Sequence, residues 1–232
     1  YDHMLETLSP GISWSQYGFM KCITTSDLQK EHVSKIMKNV SFDIVEPLIP
    51  ELFNKKEKPA KPIVCIHTRE PRDTMKIVKE FYLKYPQYRW ITFRDMRATN
   101  QEEFARLLKE SYVSVWVDDV SAFGTYPIES MASGTPVIGK VPHMQPEWMN
   151  EDNGVWLTNK PMICDFIADF IQNWLEDNIS DQLYGTGLRT AERFKDAEYF
   201  TSTVVKHFDA YLSTRKNSFQ EQLDKLKLTE AE

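Results

Sequence analysis

The stretch that decides the fold is FGTYPIESMASGTPVIG, residues 123–139. It follows an apolar, β-rich run, Tyr112–Val117, of the kind found in a strand that is buried on both faces. Gly124 permits a sharp backbone turn, Thr125 suits a helix cap and Pro127 suits the first turn of a helix. The pattern therefore predicts a strand, a glycine turn, a short helix and a second strand.

The start of this short helix is a candidate anion site, because the first N–H groups of a helix have no partner within it. Glu129 is the carboxylate of the helix, and we expect it in the first turn, beside that anion site. The alternative is an ordinary strand-turn-helix corner of an α/β domain that binds nothing.

The segment resembles the nucleotide-sugar site of retaining GT-B glycosyltransferases of the large group 4 type, which carry an E-x7-E element. The positions that match this element are Phe123, Gly124, Pro127, Glu129, Met131, Ala132, Gly134, Pro136 and Val137. Ser121 stands where the family has its first glutamate, with Asp118 and Asp119 just upstream. The resemblance implies that Glu129 holds the ribose hydroxyls of the donor. It also implies that the backbone from Phe123 to Thr125 faces the diphosphate and the sugar.

Around this segment strands alternate with helices, which predicts an α/β fold with a Rossmann-like, doubly wound parallel sheet. The predicted strands are Ile63–His67, Arg89–Phe93, Tyr112–Val117, Thr135–Lys140 and Val155–Leu157, and the predicted helices are Thr74–Tyr85, Gln101–Glu110 and Pro161–Leu175. Earlier in the chain, strands at Met20–Thr24 and Phe42–Val45 flank a helix that Thr25 or Ser26 caps. Ligands of such sheets bind at the carboxyl ends of the strands.

The resemblance also implies a division into domains, with a lysine- and proline-containing linker at residues 54–61. Residues 1–53 would be the last part of an acceptor domain, and residues 62–212 the nucleotide-sugar-binding domain. Residues 213–232 would form a helical tail in which Phe219, Leu223 and Leu226 recur at helical spacing. We expect that the chain begins inside a longer protein, since its start resembles neither a signal peptide nor an initiator.

Further candidate ligands lie in loops after the strands. By the resemblance, Arg69 or Arg72, together with Lys76, would contact the donor diphosphate, where cations offset the charge on a departing diphosphate; a solvated surface loop is the alternative. His143 follows the strand that ends near Gly139, and it either hydrogen-bonds a sugar hydroxyl or is a polar loop residue. The segment Gly185–Gly187 is interpreted as a helix break.

Composition excludes several other classes of function. The 232 residues carry a formal net charge of −6, which gives no electrostatic case for nucleic acid. No stretch is apolar and long enough to cross a bilayer, although peripheral membrane contact stays open. The three cysteines are widely spaced and no ligand spacing for a metal occurs, so we expect a cytoplasmic protein without a metal site. The resemblance likewise implies metal independence, and it implies no cofactor besides the nucleotide-diphosphate-sugar co-substrate.

The resemblance thus predicts a retaining glycosyltransferase, or its donor-binding part, acting on a sugar, glycan or lipid-linked acceptor. The fragment alone is expected to be inactive, because most of the acceptor side would be missing. One alternative is a non-catalytic nucleotide-binding or protein-interaction module on the same fold, which the missing first glutamate favours. A second is an epimerase of related architecture, whose additional acidic and histidine groups cannot be found in this sequence.

Overall fold

The computed structural model describes residues 9–54, 61–176 and 181–229. The chain packs into two compact units, one formed by Pro47–Lys195 and the other by Ser9–Glu46 together with the chain from Asp196 onward. Most of the predicted linker, residues 55–60, lies outside the described residues. Residues 196–212, which the resemblance assigns to the donor-binding domain, pack with the second unit. The assignment of donor and acceptor domains stays a prediction.

In the smaller unit, strands β1 (Lys21–Thr24) and β2 (Ser41–Ile44) pair in parallel and are joined by helix α1 (Asp27–Ile36). Of the two predicted caps, Ser26 is the one used: its Oγ accepts the Gln29 N–H at 3.1 Å, while Gln29 Oε1 accepts the Thr25 N–H at 2.9 Å.

The larger unit contains the predicted α/β sheet. Its elements are β3 (Ile63–Thr68), α2 (Pro71–Lys84), β4 (Thr92–Asp95), α3 (Gln101–Glu110), β5 (Val113–Val117), α4 (Thr125–Ala132), β6 (Val137–Lys140), β7 (Val155–Leu157), α5 (Ile163–Leu175) and α6 (Asp181–Glu192). The five strands are all parallel and lie in the order β4-β3-β5-β6-β7. The fold class that the sequence predicts is therefore confirmed.

Both faces of this sheet are covered, which explains why its central strands are continuously apolar. On one face Val64, Ile66 and Val115 pack with Ile77 and Phe81 of α2 and with α5. On the other face Cys65 of β3 and Trp116 of β5 belong to one cluster with Leu108 of α3, Ile128 of α4 and Ala191 of α6. A strand order that reverses between β3 and β5 makes the crevice at their carboxyl ends the topological switch point.

The last two helices correct one prediction. Gly185 and Gly187 lie inside α6 rather than at a helix break. A Cβ at Gly187 would come within 3.2 Å of Met131 Cγ, so this glycine permits the close packing of α6 on α4. Helix α7 (Ala197–Thr229) then continues through most of the predicted tail. The stripe of Phe219, Leu223 and Leu226 falls where the side chains are outside the described part of the chain.

Candidate functional site

The candidate site is the crevice at the carboxyl ends of β3 and β5. The loop after β3 begins with Arg69, whose N–H donates to the Val117 carbonyl at 2.9 Å and so joins the two strand ends. The loop after β5 runs from Asp118 to Gly124 and leads directly into α4. The sequence predicts that both loops follow strands of a parallel sheet, and the observed strand order makes those two strands neighbours at the switch point.

Side chains of the loop itself close the turn before α4. Asp118 Oδ1 accepts the N–H groups of Val120 at 3.0 Å and of Ser121 at 3.1 Å. Ser121 Oγ in turn accepts the Gly124 N–H at 3.0 Å. The residue that stands in place of the family's first glutamate is thus engaged in the turn. Gly124 has a φ of 73°, in the left-handed region that favours glycine.

Phe123 and Thr125, on either side of Gly124, differ in their surroundings. Phe123 is buried: its ring packs edge-on against Phe194 at 5.3 Å between centroids, and its carbonyl accepts the Trp148 Nε1–H at 2.8 Å. Thr125 is exposed, and it is the first residue of α4 rather than the cap that the sequence pattern suggests. Gly124 occupies the cap position and supplies no side-chain hydrogen bond, so the first turn of α4 lacks a side-chain cap.

Glu129 is the fifth residue of α4, so it lies in the second turn, which corrects its predicted position in the first. Its side chain is half-buried, and within the described residues its carboxylate has no hydrogen-bond or ion-pair partner. Burial raises the pKa of Glu129 to about 7. A carboxylate whose pKa is raised by desolvation, with no charged partner to offset it, is a candidate ligand-binding group.

The three predicted diphosphate ligands differ in position. Arg69 is half-buried and its Nη1 lies 3.4 Å from Asp118 Oδ1, so its side chain reaches the loop after β5. Arg72 and Lys76 lie on the exposed face of α2, opposite the face that buries Ile77. The two arginines, which the sequence could not distinguish, thus differ in burial: Arg69 is half-buried beside Asp118, whereas Arg72 is exposed.

His143 lies beside the loop after β5. The backbone N–H of His143 donates to the Asp119 carbonyl at 3.0 Å, and the ring Nδ1 lies 2.7 Å from the same oxygen. The Asp119 carboxylate is paired with Lys140, at the end of β6, and lies 3.6 Å from Lys160 Nζ. The sequence interpretation missed both lysines. Lys140 is the last residue of β6 and Lys160 follows β7, and this position at the carboxyl ends of parallel strands was the signal that could have found them.

His67, near the end of β3, was also missed. Its ring stacks on Tyr126 of α4 with 4.9 Å between centroids and 19° between planes. Burial lowers the pKa of His67, against the opposing effect of the carboxylates of Asp118 and Asp95. A histidine that ends an apolar strand was the available signal.

No group of three or more His, Cys, Asp or Glu side chains within residues 9–54, 61–176 and 181–229 is placed to hold a metal ion. Over the same residues, no helix has both the length and the apolar character needed to span a membrane.

Comparison with known proteins identified one curated relative and several solved structures, whereas no protein-family model matches the chain. The relative is an alpha-1,6-glucosyltransferase from Actinobacillus pleuropneumoniae serotype 7 (strain AP76), 23% identical over 205 residues that cover 83% of this chain and 60% of that protein.

Three of the solved structures illustrate the match. HepE from Anabaena, in complex with UDP-glucose, has a TM-score of 0.60 and 12% identity over 82% of this chain and 64% of its own. Sucrose-phosphate synthase from Thermosynechococcus elongatus has a TM-score of 0.59 and 18% identity over 84% and 59%. The pneumococcal O-GlcNAc transferase GtfA, in complex with UDP and GlcNAc, has a TM-score of 0.59 and 14% identity over 85% and 47%. This chain thus spans 60% of the curated relative and about half to two thirds of these solved chains.

Proposed function

The chain has the fold of part of a GT-B glycosyltransferase, and from this premise we propose that it is the donor-binding part of such an enzyme. The donor is a nucleotide-diphosphate sugar, and the sugar passes to an acceptor hydroxyl with retention of configuration. The observation that carries the proposal is Glu129, a half-buried carboxylate without a described partner, carried by the helix that begins at the switch point. The similar solved structures support the proposal, because two of them are complexes, one with UDP and GlcNAc and one with UDP-glucose.

Each group at the crevice has a distinct task in this proposal. The carboxylate of Glu129 accepts hydrogen bonds from the two ribose hydroxyls, which replace the water that it has lost. The first N–H groups of α4, which lack a side-chain cap, face the diphosphate together with the guanidinium of Arg69. These positive groups offset the negative charge that grows on the diphosphate as the bond to the sugar breaks.

The acceptor is a sugar, a glycan or a lipid-linked saccharide whose hydroxyl attacks the anomeric carbon. In the proposed reaction the departing phosphate oxygen takes the proton of this hydroxyl, so no metal ion or further cofactor is required. The compartment is the cytoplasm, where nucleotide sugars are synthesised and where the three free cysteines stay reduced.

We expect nucleoside diphosphates to stabilise the chain against heat, because a ligand that binds the native state raises the unfolding temperature by mass action. A thermal-shift screen of uridine, guanosine, thymidine and adenosine diphosphates measures this and identifies the base at the same time. UDP is expected to give the largest shift, and the corresponding nucleoside is the control. Equal behaviour of nucleoside and diphosphate would contradict a diphosphate site.

The two arginines can be separated by substitution. Arg69→Gln is expected to weaken UDP binding about tenfold or more, the loss associated with one charge-assisted hydrogen bond, whereas Arg72→Gln changes it much less. Calorimetric titration of the two variants and of Lys76→Gln compares the three cations. A larger loss for Arg72→Gln than for Arg69→Gln would assign the diphosphate contact to the exposed face of α2.

A second candidate function is a non-catalytic module that binds the nucleotide without transferring a sugar. Ser121 favours it, because this residue replaces the first carboxylate of the element and its Oγ accepts the Gly124 N–H. Hydrolysis or transfer of the bound nucleotide sugar distinguishes the two functions. A longer protein that contains this chain and binds the nucleotide sugar, but neither hydrolyses nor transfers it, would support the module.

A further inference from the structure

Trp148 lies in the loop between β6 and β7, and its buried indole is hydrogen-bonded to the turn that precedes α4. The side chain is 4% exposed, and its Nε1–H donates to the Phe123 carbonyl at 2.8 Å. Phe123 is followed by Gly124, the cap residue of α4. The indole therefore holds the peptide group at which the chain changes direction from the loop into the helix.

Trp148 is itself held in place from α6. Asn153 Nδ2 donates to the Trp148 carbonyl at 2.6 Å and lies 3.2 Å from Thr190 Oγ1. Thr190 is part of α6, and its hydroxyl donates to the Thr186 carbonyl one turn earlier at 3.0 Å. The contacts thus run without interruption from α6 through the loop to the turn.

The orientation of Gly124 decides where the first amides of α4 and the side chain of Glu129 lie, because both belong to one short, rigid helix. We propose that Trp148 is a positioning residue of the donor site: its indole N–H fixes the Phe123–Gly124 peptide and thereby aims α4 and Glu129 at the nucleotide. This inference rests on the proposed function. Trp148 acts through the turn and makes no contact with the donor itself.

Trp156 of β7 offers a matched control. Its Nε1–H donates to the Asn150 carbonyl at 2.8 Å and to Asn153 Oδ1 at 3.1 Å, and its ring lies 5.6 Å from that of Trp148. Neither hydrogen bond reaches the turn before α4. Trp148→Phe and Trp156→Phe therefore each remove one indole N–H, and only the first removes the N–H that donates to the Phe123 carbonyl.

The test is a double-mutant cycle read by calorimetric titration of the full 232-residue chain with UDP. Trp148→Phe is expected to lower the affinity for UDP about tenfold, and Trp156→Phe less than about twofold, although both variants lose the hydrogen bonding of an indole N–H and lower the unfolding temperature. In the Glu129→Gln background, Trp148→Phe is expected to lower the affinity for UDP less than about threefold. The effects of two residues that act through the same group are not additive. A purely structural role would lower the unfolding temperature without this coupling.

Each outcome decides a separate question. If the parent chain does not bind UDP, the proposed function fails and this inference fails with it. If the parent binds UDP but Trp148→Phe and Trp156→Phe bind it equally, or if the effects of Trp148→Phe and Glu129→Gln are additive, only the inference is overturned. Should Trp148→Phe not fold, Thr190→Val removes the hydroxyl at the far end of the same contacts. That variant is expected to lower the affinity about threefold, and unchanged affinity would overturn the inference.

Discussion

Replacing Glu129 by glutamine is expected to make the protein more stable while it weakens nucleotide binding. The pKa of Glu129 is about 7 in the folded chain against 4.5 for the unperturbed group. Because the folded-state pKa is raised, the stability associated with this group is fully present below about pH 4.5 and is lost as the pH rises through 7. Glutamine resembles the protonated acid and avoids that loss. Above pH 7, Glu129→Gln should therefore gain about 3 kcal/mol in the free energy of unfolding.

Urea denaturation of parent and variant between about pH 4.5 and pH 8 measures this difference directly. In thermal unfolding, the midpoint of the variant should lie on the order of 5–10 °C above that of the parent at about pH 8, and the two midpoints should coincide near pH 4.5. The affinity of the variant for UDP should fall on the order of tenfold, because a neutral amide replaces the charged carboxylate as the hydrogen-bond acceptor for the two ribose hydroxyls. A stability difference that does not depend on pH would show that Glu129 titrates normally, and unchanged affinity would remove it from the ribose site.

This opposition between stability and binding follows from the position of Glu129. A half-buried acid in the second turn of a largely buried helix costs free energy in the empty protein, and a ligand that hydrogen-bonds it recovers that cost. A residue selected for packing alone would not keep such a charge, since glutamine or methionine would fit the same helix without the desolvation penalty. The sequence could identify Glu129, through its register with Gly124 and Gly134, but it could not reveal the missing partner.

The elements of the fold were predictable where local pattern and tertiary packing agree. Helix α3 occupies the predicted range, Gln101–Glu110, because its Asn100 cap and its apolar stripe point to the same boundaries. Strand β4 begins three residues later than predicted, at Thr92, because a short 3₁₀ turn over Pro86–Tyr88 brings the chain to the sheet edge first. Gly187 was misread because its purpose, close packing on α4, depends on a contact that is distant in sequence.

The same limit applies to the site. The loops after β3 and β5 were predictable, because parallel strands place their carboxyl ends together. The pairing of Arg69 with Asp118, 49 positions apart, and the indole contact of Trp148 with Phe123, 25 positions apart, were not, because no local periodicity encodes them. Only the packed structure shows which polar groups are consumed by the turn and which, like Glu129, remain for a ligand.

Substituting alanine for Gly124 is the second change from which we expect a large effect. A residue with a Cβ at a φ of 73° costs about 1 kcal/mol in backbone strain. The added Cβ would also lie 3.1 Å from Cη2 of the buried Trp116 and 3.2 Å from Cγ of Pro127, and neither ring can move aside without disturbing the core. We expect Gly124→Ala to lower the free energy of unfolding by about 2–4 kcal/mol and to abolish measurable UDP binding, because the start of α4 must shift.

Gly18→Ala separates the two causes. Gly18 has a similar φ of 84°, but a Cβ there would meet no atom within 4 Å, so its substitution measures backbone strain alone. Chemical denaturation should give about 1 kcal/mol for Gly18→Ala and clearly more for Gly124→Ala. Equal losses would mean that the turn has room for a side chain. Retained UDP binding in a folded Gly124→Ala protein would show that the nucleotide does not depend on the geometry of this turn, and the donor site would then have to be sought elsewhere in the chain.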